Sequence, residues 1–124
     1  MGFFNSLFGG KSQMARGEYN SKVSQIIKTD FGISPNSRDD PRFPGALAYF
    51  ELIDDVYYRN GSPEQAALRV VIPLFGGLRK SELKKDQTDA ALLFKKIKKN
   101  MHSYVQSGAI SQQVFEQYAD ITKR

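Results

Sequence analysis

Plotted at roughly 100° per residue, Ala90, Leu93, Phe94, Ile97, Met101, Tyr104 and Val105 fall within an arc of about 120°, and Lys95, Lys96, Lys98 and Lys99 occupy the opposite arc. Only an α-helix gathers residues at these spacings onto one side. A strand, with its period of two, would scatter them over both faces. The pattern predicts a helix from about Thr88 to Gln106, with Leu92 exposed among the lysines. Asp89 in its first turn suits the positive end of the helix dipole. Such a helix must bury its apolar stripe against a neighbouring layer.

The next segment supplies one neighbour. Ser107-Gly108 ends the long helix, and another begins at Ser111. Ile110 precedes that start and can staple onto Phe115, while Val114, Phe115, Tyr118 and Ile121 continue a buried stripe. The two segments together predict an αα-hairpin.

Upstream the spacing is again helical. Ala15, Tyr19, Val23, Ile26 and Ile27 predict a helix from about Gln13 to Phe31, with Gly32 where a left-handed C-cap belongs. Residues Ile33 to Pro44 read as a surface loop by their Pro and Asp content. A helix follows from about Gly45 to Arg59, placing Ala46, Tyr49, Phe50, Ile53, Val56 and Tyr57 on one face and Glu51, Asp54 and Asp55 on the other. Ser62-Pro63-Glu64-Gln65 is a capping box with proline in the first turn. The helix it opens is expected to kink or end at Pro73, which lacks a backbone donor, and Gly76-Gly77 to break the chain. A strand over Val70-Val71-Ile72 finds no evident partner strand.

The chain's 124 residues, 40% of them hydrophobic, suit one domain that fills its core without metals or disulfides. There is no cysteine, which excludes disulfides, thiolate zinc sites and thiol nucleophiles. The expected fold is all-α: a single small domain of about five helices over residues 11–124, preceded by an apolar arm over 1–10. No stretch approaches the ~18 apolar residues of a membrane span. The N-terminal apolar stretch lacks a charged leader, so the expected location is cytoplasmic, with a peripheral membrane position as the variant.

Charge is segregated. Between Arg79 and Lys99 stand eight basic residues and three acidic ones, a balance of +5, and the whole chain also carries +5. Such a field attracts an anionic partner without naming it. The plainest use of the lysines is a solvated face that aids solubility. Their functional use would be a binding face made of Lys84, Lys85, Lys95, Lys96, Lys98 and Lys99. Because lysine dominates and no aromatics interleave, nucleic-acid binding through this face would be non-specific and salt-sensitive.

Phe3, Phe4, Leu7 and Phe8 form one broad apolar face if helical. They read first as an arm that plugs the core, and second as a wedge into a bilayer surface beside the polybasic helix. Glu51, Asp54 and Asp55 read first as a solvated acidic face, then as a partner for the lysines, and last as a cation site. The lone histidine, His102, has lysines for neighbours and no evident orienting carboxylate, so it reads as surface decoration.

No catalytic residue, metal site or cofactor is expected. The expected function is a non-enzymatic interaction module that binds a charged protein partner or self-associates through its acidic and basic faces. A peripheral membrane-surface protein is the alternative, and non-specific nucleic-acid binding the third reading.

Overall fold

A computed structural model describes residues 15–35, 37–50 and 61–122 of the chain. These hold five helices and no strand: α1 (Arg16–Phe31), α2 (described over Phe43–Phe50), α3 (Pro63–Lys80), α4 (Lys84–Ser107) and α5 (Gln112–Thr122). The all-α fold and the closing hairpin are as the periodicity predicts. The arm over 1–10, with Phe3, Phe4, Leu7 and Phe8, lies outside the described residues, as do Glu51, Asp54 and Asp55.

Helix α3 is the centre. It packs against each of the other four helices. Ala66, Ala67, Leu68, Val70, Val71, Ile72, Leu74 and Phe75 are all buried, so side chains leave this helix for the core in nearly every direction. Around them close Val23, Ile27 and Phe31 of α1, Ala46 of α2, and Leu93, Ile97 and Met101 of α4.

This centrality explains a correction to the sequence reading. Pro73 does not end the helix and Gly76-Gly77 does not break it; α3 runs unbroken from Pro63 to Lys80. The proline costs about 3 kcal/mol and each glycine about 1 kcal/mol against alanine. Burial of Val70, Val71, Ile72, Leu74 and Phe75 returns about 1.5–3 kcal/mol apiece. The helical path is the one that buries all five, so tertiary packing overrides local propensity.

The helix ends follow their local chemistry. Ser62 caps α3 by accepting the Gln65 N–H at 3.1 Å, and its hydroxyl donates to the Ala109 carbonyl at 2.6 Å. One side chain thus caps a helix and ties it to the α4–α5 turn. Gly32 and Gly108 sit at φ 69° and 83°, and each closes a helix by donating its N–H back to the last turn. Ser111 accepts the Val114 N–H at 3.1 Å ahead of α5. Ile110 is buried in the core, and Phe115 packs against that core from one turn into α5.

The loop after α1 is closed by a single carboxylate. Asp40 accepts the Ser34 N–H at 2.9 Å, the Arg42 N–H at 2.8 Å and the Arg42 Nε at 3.1 Å. Arg42 also donates to the Gly32 carbonyl at 2.9 Å. Burial alone would raise the Asp40 pKa. The hydrogen bonds from Ser34 and Arg42, with the guanidinium charge, outweigh it and hold the carboxyl below its ordinary range. This clamp also starts α2 at Phe43, two residues ahead of the Gly45 that periodicity suggests.

Candidate functional site

The candidate site is the solvent face of α4. This helix begins at Lys84 rather than Thr88, a turn earlier than its apolar stripe suggests. The short connection explains the early start. Ser81 donates to Asp86 Oδ2 at 2.8 Å and accepts the Leu83 N–H at 3.1 Å, while Gln87 Nε2 donates to the Ser81 carbonyl at 3.0 Å. Lys84 and Lys85 therefore stand in the first helical turn, where the helix dipole adds to their positive field instead of offsetting it.

The buried side of α4 is held in place by polar contacts as well as by packing. Tyr104 donates to Asp30 Oδ2 at 2.6 Å. Asn100 donates to the Asp30 carbonyl at 2.9 Å. Burial raises the Tyr104 pKa and the Asp30 carboxylate raises it further, so the phenol keeps its proton and remains a donor. These bonds fix the rotation of α4 about its axis, and with it the direction in which the lysines project.

Lys84, Lys85, Lys95, Lys96, Lys98 and Lys99 are all exposed, but they are not equivalent. The Lys96 ammonium lies over Gly32, 2.7 Å from where a Cβ on that glycine would stand. It sits at the carbonyl end of α1, the negative end of that helix dipole. Lys98 lies 5.3 Å from the centroid of the Phe94 ring. Phe94 stacks on Phe75 at 5.3 Å, and Arg79 lies 5.2 Å from the Phe75 centroid. Arg79 also donates to the Thr122 carbonyl at 3.1 Å, holding the end of α5. Two of the six lysines thus lie close against neighbouring groups of the fold. None of the six makes an ion pair or side-chain hydrogen bond among the described residues, and Lys84, Lys85, Lys95 and Lys99 also lack the close neighbours that Lys96 and Lys98 have.

Leu92 projects between them, 54% exposed. Helical spacing sets Lys85 and Lys99 two turns to either side of it, and Lys95 and Lys96 one turn on. The row from Lys85 to Lys99 is about 21 Å long at 1.5 Å per residue. Leu83, 65% exposed, lies just ahead of Lys84. Among the described residues these two leucines are the exposed large hydrophobics, and both belong to the lysine-bearing segment.

The other candidate residues take lesser places. His102 packs its ring against Phe115, centroids 5.0 Å apart, in the α4–α5 crevice. No group of three or more His, Cys, Asp or Glu placed to hold a metal ion occurs among the described residues. No helix there is long and apolar enough to cross a membrane.

Sequence reading missed the partly exposed stripe of α3, where half-buried Arg69, Pro73 and Gly76 and exposed Lys80 recur at helical spacing. Their signal is present in that spacing, but the expected break at Pro73 hides it.

The fold and this surface define a small all-α domain that displays a basic helix punctuated by an exposed leucine. No protein-family model, curated protein or solved structure matches the chain.

Proposed function

We propose that this protein is a non-enzymatic interaction module whose α4 face docks an acidic protein partner. The observation that carries the reading is Leu92. Among the described residues Leu92 and Leu83 are the exposed large hydrophobics, and Leu92 stands within the lysine face. An apolar anchor inside a charged rim is the usual anatomy of a protein-binding surface. Lys84, Lys85, Lys95 and Lys99 supply the steering field, and Leu92 supplies the contact that water leaves on binding. Lys96 and Lys98 contribute charge while lying against Gly32 and Phe94. The working location of such a module is the cytoplasm, where its partner would be met.

The test is fluorescence anisotropy of labelled poly-glutamate against the full chain and a Lys95→Glu/Lys99→Glu variant. Flotation with phosphatidylserine vesicles and a short DNA duplex serve as competitors. The reading expects poly-glutamate binding that weakens as salt rises and drops at least about tenfold in the variant. Binding to vesicles alone would replace it with a membrane-surface role. Binding to the duplex alone would replace it with non-specific nucleic-acid binding.

A further inference from the structure

Among the described residues, one side of helix α3 is left uncovered by its neighbours. Along that side runs an open groove of about 630 Å³, floored by Ile72, Pro73, Gly76 and Gly77 and walled by Tyr49 of α2 and Tyr118 of α5. Arg69 stands at one end, and Arg79 and Lys80 at the other. None of these three cations forms an ion pair among the described residues.

The two glycines are not required by the fold. Each lies inside an α-helix, neither has a positive φ, and a Cβ on either would meet no atom within 4 Å. What they do is lower the groove floor, so that another backbone can come closer to α3 than a side chain would allow.

We infer that this groove is a second docking surface and that its occupant is a short acidic amphipathic helix of the partner protein. The inference rests on the proposed interaction role and names the partner's chemistry. Arg69 and Lys80 are 11 residues apart, about 16 Å along the axis, which matches roughly three turns of a docked helix. Acidic side chains near its two ends would meet Arg69 at one end and Arg79 with Lys80 at the other. Its small apolar residues would lie over Pro73 and the glycines.

Two other occupants fail on charge. Residues 1–10 contain no Asp or Glu, so the arm cannot answer the cations. The lysine face of α4 in a second copy would repel them. A copy presenting Glu51, Asp54 and Asp55 would not, and its dependence on protein concentration separates it in the titration.

The experiment is NMR titration of the ¹⁵N-labelled full chain with a synthetic amphipathic peptide of about three helical turns. One version carries Glu on its polar face and the other Lys. The inference expects the Glu peptide to shift the Gly76, Gly77, Arg69 and Lys80 amides, and the Lys peptide to leave them unmoved. Gly76→Leu fills the groove at a position with open space and should weaken the Glu peptide at least about tenfold. Arg69→Glu/Lys80→Glu should reverse the preference to the Lys peptide.

Shifts confined to α4 and abolished by Lys95→Glu/Lys99→Glu would overturn the groove while leaving the proposed function standing. Shifts at neither surface with about 1 mM peptide would overturn both. Groove shifts that appear with protein concentration alone would identify a second copy as the occupant, and would also overturn the inference.

Discussion

Helices α3 and α4 lie side by side in this molecule and reverse each other's logic. Helix α4 follows its local pattern in good helix formers, one apolar stripe, one charged face and a glycine stop at Gly108, although Leu83 gives it no side-chain cap. Helix α3 carries a proline and two adjacent glycines in its second half, yet it is continuous and holds the core together. A helix at the surface must be specified by its own residues, because water competes for its backbone. A helix at the centre is specified by what surrounds it, because leaving the helical path would unbury side chains on several faces at once.

The largest expected difference between them lies in truncation. Leu68→Ala in α3 removes a side chain with no exposure, and should cost about 2–5 kcal/mol. Leu92→Ala on the open face of α4 should change stability by less than about 0.5 kcal/mol. Urea denaturation of the two variants checks both values. Equal effects would mean that α4, not α3, organises the core.

Next in size is the Asp40 clamp, which joins the end of α1 to the start of α2 independently of either helix. Asp40→Ala should cost about 1.5–3 kcal/mol, since it removes charge-assisted bonds to Ser34 and Arg42. The pH dependence has a definite sign. The folded pKa of Asp40 lies below its unfolded value near 3.8. The clamp's contribution is therefore complete above that value and is lost as pH falls through the lower, folded pKa. The wild type should lose stability on acidification below about pH 4, and Asp40→Ala should lose less over the same interval. Thermal melts across that range measure the difference.

Ser62→Ala should cost about 1 kcal/mol for the lost cap. The lost bond to the Ala109 carbonyl should add to that. Ser111→Ala, a cap without such a second bond among the described residues, is the control that isolates the tie between α3 and the α4–α5 turn.

The smallest expected effects have the opposite sign. Gly77→Ala should raise stability by as much as about 1 kcal/mol, because the site is helical and the added methyl meets nothing. Gly108→Ala, at φ 83°, should instead lower it, since alanine is strained there. A rise in melting temperature for the first and a fall for the second would establish that the α3 glycines serve something other than the fold.

The sequence by itself was enough for the helical class, for the Ser62 and Gly32 caps and for the α4–α5 hairpin. Each depends on contacts within a few residues along the chain, so the local pattern carries all the information needed. It was also enough to show that charge is concentrated around α4, because charge is a property of composition and spacing. Only the tertiary structure decided that α3 continues through Pro73, since the burial that offsets the proline comes from α1, α2 and α4. It likewise separated the lysines. Lys96 and Lys98 lie against Gly32 and Phe94, while Lys95 and Lys99 stand open beside Leu92, and helical spacing alone treats the four alike. The groove beside Gly76 belongs to the same class, because an opening is made by the elements around it, and no single segment encodes the distance between its walls.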